Sequence, residues 1–172
     1  FLIYPASNGY NSYFDKDEKS IGGLKNPPPV NKGLYYTALA LDLFALLLAF
    51  FKISPWFAGL LLVYGLASKA YSHPSIRLKK FPVGGLLTVA FFQGFFTFVM
   101  SYIGINNFTP ENLWNDRVII PAILSSLFLL GTYPMTQIYQ HEEDSARGDQ
   151  TVSLKFGVRG TFIFVMAVFS II

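Results

Sequence analysis

The sequence predicts an all-α fold, a multi-pass transmembrane helical bundle. Of its 172 residues, 52% are apolar and 13% are charged, whereas an average soluble domain has about 25% charged residues. Long stretches without charge alternate with short polar segments, which is typical of membrane-spanning helices. Lysine and arginine concentrate in alternate loops, as the positive-inside rule expects of such a chain. These observations predict a protein whose main partners are membrane lipids.

The spans can be assigned in chain order. Residues 1–6 look like the last turns of a helix that leads into a polar loop. The first complete span is 35–51, because at 1.5 Å per residue it approaches the roughly 30 Å of hydrocarbon core. Its only charge is Asp42, which we expect to face the bundle interior or to be protonated. The remaining predicted spans are 56–68, 81–110, 118–141 and a fifth that begins near Gly160.

The basic residues predict which loops share a side of the membrane. If the spans alternate in direction, eleven of the 13 lysines and arginines fall on one side, and only Lys52 and Arg117 fall on the other. The positive-inside rule assigns the basic side to the cytoplasm. We therefore expect a cell-membrane protein whose segments 8–32, 71–82 and 140–159 face the cytoplasm.

The composition also limits domain organisation and chemistry. Position 1 is Phe and both ends lie within apolar sequence, so we expect residues 1–172 to be a single transmembrane domain truncated at both ends. Without cysteine and with only two histidines, a disulfide framework or a thiolate metal site is excluded, and a metal ion must use oxygen ligands. The small net charge of +3 is unevenly placed, and no nucleic-acid partner is expected.

Acidic residues cluster at two helix ends on the predicted cytoplasmic side. The spacing of Asn11 and Asp15 places them on one face of the first helix. The second cluster contains Gln137, Gln140, Asp144 and Arg147. Steps of three, four and three residues separate them, which places all four on one face of a helix. Carboxylates with amide neighbours suit Mg²⁺, which binds one or two carboxylates together with waters and phosphate oxygens. The alternative is ordinary solvated charge at a membrane surface, but finding two such clusters favours a site.

A basic loop follows the second complete span. Residues 69–80 contain Lys69, Arg77, Lys79 and Lys80, which could bind a diphosphate near the membrane surface. Taken alone, the loop is equally explained by the positive-inside rule.

Together these segments resemble the UbiA superfamily of intramembrane prenyltransferases. The stretch Asn11-Ser-Tyr-Phe-Asp15 looks like the first Asp-rich motif of that family. Gln140-His-Glu-Glu-Asp144, followed by Gly148, looks like the second. The loop from Tyr71 to Lys79 resembles the family's basic loop. The resemblance extends from the end of helix 2 to the start of helix 7 of the nine-helix family fold.

The resemblance implies roles for individual residues. It implies that Asp15 and Asp144 are catalytic and that they hold Mg²⁺ with Asn11. It also implies that diphosphate is bound by Lys19, Arg77, Lys79 and Arg147. The motifs depart from the family pattern at Ser12, Lys19 and Gln140. Acids nearby are candidates to compensate for the missing ones: Asp17, Glu18, Glu142 and Glu143.

The implied reaction is Mg²⁺-dependent transfer of a prenyl group from an isoprenyl diphosphate to a hydrophobic cyclic acceptor. An aromatic compound or a quinone precursor, as in quinone biosynthesis, is the expected acceptor. Haem, a chlorin and a glycerol phosphate stay open as alternatives, because the sequence does not choose among them. The alternative is a non-catalytic lipid-binding or transporter-like membrane protein with degenerate Asp-rich motifs.

Overall fold

The computed structural model describes residues 1–16, 26–107 and 113–172. These residues form helices and turns, with no strand among them, so the predicted all-α fold is confirmed. The α-helices in chain order are α1 Ile3–Asp15, α2 Lys32–Leu48, α3 Pro55–Ser72, α4 Pro82–Val89, α5 Thr97–Asn106, α6 Asp116–Gln137, α7 His141–Arg147 and α8 Val152–Phe169. A π-helical segment, Ala49–Ile53, continues α2, and another, Ala90–Phe96, joins α4 to α5. Single 3₁₀ turns occupy Leu78–Lys80 and Ile138–Gln140.

Four helical segments of the described chain are long and apolar enough to cross a membrane. They are Lys32–Ile53, Pro82–Asn106, Asp116–Arg147 and Val152–Phe169, and the multi-pass prediction is confirmed. The predicted short span at 56–68 also forms a helix, α3, but α3 is not one of these four segments. Its last turns carry the polar residues Ser68, Lys69 and Ser72, which lower its mean hydropathy. Lys69 pairs with Asp42 and Ser72 bonds to Asn11 inside the bundle.

The last membrane-crossing segment runs over Val152–Phe169, with a break at Gly157 shortly before the predicted start near Gly160. Thr151 caps its first turn by accepting a hydrogen bond from the Leu154 N–H at 3.2 Å. Gly157 interrupts the helix with a φ of 65°, a left-handed conformation that glycine adopts without steric cost. Lys155 lies on an exposed face of the helix. Its charge is therefore compatible with a helix and does not indicate a loop.

Polar caps define the turn between α2 and α3. The Ser54 hydroxyl accepts a hydrogen bond from the Phe57 N–H at 3.1 Å, and Pro55 occupies the first helical position of α3. Both features are preferred at a helix N-terminus, where N–H groups lack helical partners. The chain therefore reverses within a few residues, and α3 returns beside α2.

The π-helical segment Ala90–Phe96 packs closely against α6. A Cβ atom added to Gly94 would lie 2.6 Å from the Ser126 Cα, so the two backbones are in direct contact. Ser126 donates a hydrogen bond to the Ala90 carbonyl at 2.7 Å and accepts one from the Phe95 N–H at 3.0 Å. Small residues allow such approach in membrane bundles, and a hydroxyl can satisfy backbone groups that a wide turn leaves without partners.

We expect Gly94→Ala to destabilise the bundle. The new methyl group meets backbone atoms that cannot rotate away, and overpacking of this kind costs about 1–3 kcal/mol. The matched control is Gly59→Ala in α3, where an added Cβ has no neighbour within 4 Å and helix propensity gains up to about 1 kcal/mol. Thermal unfolding of the full chain in detergent measures both. Equal melting temperatures for the two variants would contradict this account of the contact.

The sidedness of the loops predicts a labelling pattern. Ser75, in the loop after α3, and Asn106, at the end of α5, are both exposed, and the 172 residues contain no cysteine. We expect Ser75→Cys to react with an impermeant thiol reagent only after cells are permeabilised, and Asn106→Cys to react in intact cells. The reverse pattern would invert the predicted topology.

Candidate active site

A cavity of about 200 Å³ lies where α1 and α3 end and where α6 leads into α7. Its wall is largely polar, although most helical surface around it is apolar. Three acids and two bases contribute to the wall: Asp15, Asp144, Asp149, Lys79 and Arg147. Such a concentration of buried charge requires internal pairing, because an isolated charge removed from water is strongly disfavoured.

Asp15 and Asn11 form the first side of the cavity. Asp15 is the last residue of α1 and is 7% exposed. The Asn11 Nδ2 donates to Asp15 Oδ2 at 2.8 Å, and the Ser72 hydroxyl donates to Asn11 Oδ1 at 2.7 Å. The helical spacing of four residues brings Asn11 and Asp15 together, as the sequence predicted. Ser72 then fixes the amide orientation from α3.

Cations from two distant segments surround Asp15. The Lys79 Nζ forms an ion pair with Asp15 Oδ1, and the Arg77 Nη2 lies 3.5 Å from the same oxygen. The Arg147 Nη1 donates to the Asp15 backbone carbonyl at 3.1 Å. A carboxylate at a helix C-terminus faces the negative end of the helix dipole, so these cations offset an otherwise unfavourable position.

Asp149 is the site residue that the sequence analysis did not assign. It is 2% exposed, and it accepts two hydrogen bonds from Arg77, from Nε at 2.9 Å and from Nη2 at 2.8 Å. The Arg147 Nε lies 3.6 Å from Asp149 Oδ2. Gly148, with a φ of 74°, ends α7 and turns the chain so that Asp149 points back into the bundle. In the sequence, Asp149 directly follows Gly148, and a glycine of this kind often ends a helix. This position was the signal that could have indicated Asp149 as a site residue.

The charges of this cluster shift one another's protonation equilibria. Burial lowers the pKa of Lys79, and the neighbouring Asp15 carboxylate opposes that effect. The hydrogen bonds to Asp149 raise the pKa of the Arg77 guanidinium. Burial alone would raise the pKa of Asp149, but the hydrogen bonds and charge of Arg77 outweigh it and hold that pKa below its usual value. Asp149 is therefore ionised at neutral pH.

Asp144 and Arg147 form the opposite side of the cavity. The Arg147 Nη2 donates to Asp144 Oδ1 at 2.9 Å. Gln137 and Gln140 line the same cavity, so the predicted common face of these four residues is confirmed. This face is made by a 3₁₀ turn and the short helix α7. Asp144 lies in the first turn of α7, a position at which the helix dipole favours a carboxylate.

Two of the candidate compensating acids, Glu142 and Glu143, lie outside the cavity wall. Glu142 is exposed and Glu143 is half-buried, and neither is among the described residues that line the cavity. Asp17, Glu18 and Lys19 lie outside the described residues. Their predicted roles stay predictions.

The deeper part of the cavity was also missed by sequence reasoning. The Tyr71 and Tyr133 hydroxyls hydrogen-bond to each other across it. Gln93 lines both this cavity and a smaller one of about 30 Å³, whose wall includes Tyr64 and Phe92. Gln93 is a lone polar residue within a phenylalanine-rich span, and this position could have indicated that it faces the interior of the bundle. The polar chamber therefore adjoins an aromatic interior.

The donor set of this site can be compared with what Mg²⁺ requires. No three acids or histidines gather as a metal cage within the described part of the chain. Asp15, Asp144 and the Asn11 amide nevertheless offer oxygens to one cavity. This set fits a Mg²⁺ ion that also takes phosphate oxygens and waters, rather than one bound by protein alone.

One of the comparisons with known proteins assigns the chain to a family. The UbiA prenyltransferase family matches residues 1–172. The chain belongs to the UbiA prenyltransferase family. Its membership indicates membrane prenyltransferase activity and confirms the resemblance given by the two acidic motifs. No curated protein and no solved structure matches the chain.

The Asp149–Arg77 pair of this UbiA-family protein predicts an acid-dependent stability. A lowered carboxyl pKa stabilises the fold fully above the unfolded-state pKa of about 3.9. That stabilisation is lost as the pH falls towards the lower pKa of the folded protein. We expect Asp149→Asn to lower the melting temperature at pH 7, and the gap to the unaltered protein to narrow below about pH 4. Asp116→Asn, at the exposed start of α6, is the control. If the difference in melting temperature between Asp149→Asn and the unaltered protein did not change with pH, the charge of Asp149 would not be the source of the stabilisation.

Proposed function

We propose that this protein transfers a prenyl group from an isoprenyl diphosphate to a hydrophobic cyclic acceptor, an aromatic compound or quinone precursor, in an Mg²⁺-dependent reaction. The observation that carries the proposal is the cavity itself, in which buried acids and bases meet beside an aromatic chamber. A diphosphate and a prenyl chain need those two environments next to each other.

The basic residues are suited to stabilise the leaving group. Cleavage of the bond between the allylic carbon and oxygen leaves both bonding electrons, and thus negative charge, on the diphosphate. Lys79 and Arg147 line the cavity, and Arg77, which is not part of its wall, pairs with the lining residue Asp149. In a cavity shielded from water, preorganised donors act more strongly on developing charge than they would in solvent.

The acidic residues explain why a divalent ion is needed. Three carboxylates, Asp15, Asp144 and Asp149, face three cations, Arg77, Lys79 and Arg147, so the cluster has no net charge. A diphosphate entering alone would bring an uncompensated negative charge into it. When bound by Asp15 and Asp144, Mg²⁺ would supply that compensation and polarise the phosphate oxygens. The basic side chains would then exchange carboxylate contacts for phosphate contacts.

The smaller cavity marks the direction in which the rest of the substrate would extend. Tyr64 and Phe92 line it, but at about 30 Å³ it is too small for an isoprenoid chain, so the surrounding side chains would have to move apart when a chain binds with its allylic end beside Tyr71 and Tyr133. The allylic carbocation must be kept from water until a carbon of the acceptor attacks it. The acceptor then loses a proton as the new carbon–carbon bond is completed.

A second candidate function is non-catalytic binding or transport of a polar lipid. It is favoured by the pairing of Lys79 with Asp15 and of Arg77 with Asp149. Each pair could open and close around a passing ligand without chemistry. The experiment below separates the two functions.

We expect Asp15→Asn and Asp144→Asn to reduce turnover by about 10²–10³, the usual loss when one transition-state contact is removed. Each change removes a charge but little volume. Because Asp15→Asn also leaves the buried Lys79 without its charged partner, the melting temperature of each variant is measured beside its turnover, so that a loss of fold is told apart from a loss of catalysis. The assay measures release of diphosphate and formation of prenylated product by the full chain during a Mg²⁺ titration. A panel of prenyl diphosphates and aromatic acceptors supplies the substrates.

Glu142→Gln is the matched control, since Glu142 is exposed and lies outside the cavity wall. We expect it to keep turnover within about twofold of the unaltered protein, as surface changes usually have small energetic effects. If both Asn variants keep full turnover at every Mg²⁺ concentration, the carboxylates have no catalytic role. Absence of any product with the unaltered chain, together with specific lipid binding, would favour the second candidate.

A further inference from the structure

Gln137 is a buried amide in the wall of the candidate active site. It is the last residue of α6 and is 6% exposed, and it lines the cavity of about 200 Å³. Along the chain it lies between Tyr133, in the deeper part of that cavity, and Asp144 on its charged side. The amide is thus a neutral polar group between the charged residues and the aromatic interior.

A backbone group of α8 sets the orientation of this amide. The Ser153 N–H donates a hydrogen bond to the Gln137 Oε1 at 3.4 Å. Ser153 is the second residue of α8, and an N–H in the first turn of a helix has no helical acceptor. Of the two ends of an amide, the oxygen alone accepts a hydrogen bond. The Gln137 Nε2 therefore points away from Ser153, with two N–H groups that can donate.

Ser153 is itself held by a chain of hydrogen-bonded side chains. Ser153 and Thr161 are both 0% exposed. The Thr161 hydroxyl donates its proton to the Gly157 carbonyl at 2.8 Å, so it accepts one from the Ser153 hydroxyl at 3.0 Å. Since the single hydroxyl proton of Ser153 is used there, its Oγ accepts a hydrogen bond from the His141 Nε2 at 2.7 Å. These hydrogen bonds link α7 to α8 and fix the backbone donor that holds Gln137.

One N–H group of Gln137 is left for a ligand. The Tyr133 hydroxyl, one turn earlier on α6, lies within hydrogen-bonding reach of Gln137 and takes the other N–H group. The acids and bases around the cavity pair with one another, as Lys79 does with Asp15. The amide donor carries no charge that a carboxylate could neutralise, so it does not compete with those pairs.

We propose that Gln137 is a catalytic residue that donates a hydrogen bond from Nε2 to an oxygen of the phosphate group nearest to the prenyl chain. This role rests on the proposed prenyl transfer, in which the diphosphate meets the charged residues and the chain extends towards the aromatic interior. When the bond between the allylic carbon and oxygen breaks, both bonding electrons stay on that phosphate group. The hydrogen bond from Gln137 then strengthens, because a fixed donor interacts more strongly with a larger negative charge.

Two variants separate the donor from the contact with α8. Gln137→Glu keeps an oxygen that accepts from the Ser153 N–H, but it replaces the donor nitrogen with a carboxylate oxygen. Gln137→Met removes the donor and the acceptor without adding a charge. Calorimetry of the full chain in detergent measures the affinity for inorganic diphosphate at saturating Mg²⁺. We expect each variant to bind inorganic diphosphate about tenfold more weakly, the ratio for one lost hydrogen bond to a charged group.

Gln150→Glu is the matched control, because Gln150 is exposed and is not among the described residues that line the cavity. We expect it to keep the affinity for diphosphate within about twofold. Unchanged affinity in Gln137→Glu would overturn the proposal, because it would show that Gln137 only joins α6 to α8. Unchanged affinity in Gln137→Met would also overturn it, because the loss in Gln137→Glu would then come from repulsion between charges. If Gln137→Met fails to fold, Gln137→Glu still decides, since it keeps the contact with α8.

The same proteins separate this proposal from the proposed function. In the prenyl transfer assay we expect Gln137→Met to lower kcat more than it raises KM, because the contact strengthens in the transition state. If the unaltered chain binds inorganic diphosphate but forms no prenylated product, the proposed transfer is wrong, and the affinities of the two variants still decide whether Gln137 is a phosphate ligand. If the unaltered chain does not bind inorganic diphosphate, the role of Gln137 is overturned as well.

Discussion

The ion pairing of Asp15 is the constraint on which the site depends. A buried carboxylate at the C-terminus of α1 has both desolvation and the helix dipole against it. It is tolerated because Lys79 and Arg77 reach it from the loop after α3, and Arg147 reaches its carbonyl from α7. Removing one partner from such a buried cluster is more damaging than replacing the whole cluster. The pairing thus holds together three segments that are distant in sequence, and the cavity exists between them.

The two arginines and the lysine are held in different ways, and this difference bears on ligand entry. Arg77 is fixed by two parallel hydrogen bonds to Asp149, a geometry that resists rotation. Lys79 has a single flexible ammonium group between Asp15 and Asn11. An arriving anion can draw the Lys79 ammonium group away from Asp15 by rotations about side-chain bonds alone. The Arg77 guanidinium stays in place, so the anion has to move towards it. Asp149, itself part of the cavity wall, thereby fixes the orientation of the Arg77 guanidinium.

Local spacing predicted those parts of the site that lie within one helix. Asn11 with Asp15, and Asp144 with Arg147, are brought together by helical periodicity, which the sequence displays directly. The pairing of Arg77 with Asp149 joins residues 72 positions apart, and no periodic pattern contains that information. The Tyr71–Tyr133 contact, over 62 positions, was missed for the same reason. The sequence indicated the helix that follows the break at Gly157 but not the helical turns from Val152 before it, because charges on an exposed helical face look like a loop in sequence.

The π-helical segment Ala90–Phe96 sets the angle between side chains on α4 and side chains on α5 around their common axis. Leu86 is buried before it and Met100 is buried after it, and an unbroken α-helix would place residues at their spacing within about 40° of each other. A π turn holds more residues than an α turn, so the segment changes that angle and sets which residues of α5 face the bundle. Loss of one residue there would displace Gly94 from its backbone contact with Ser126, whereas loss of one residue between Asn11 and Asp15 rotates Asp15 by about 100° around the axis of α1. Deletions in the two spans are thus disfavoured for different reasons, a backbone contact in the first and the direction of a charge in the second.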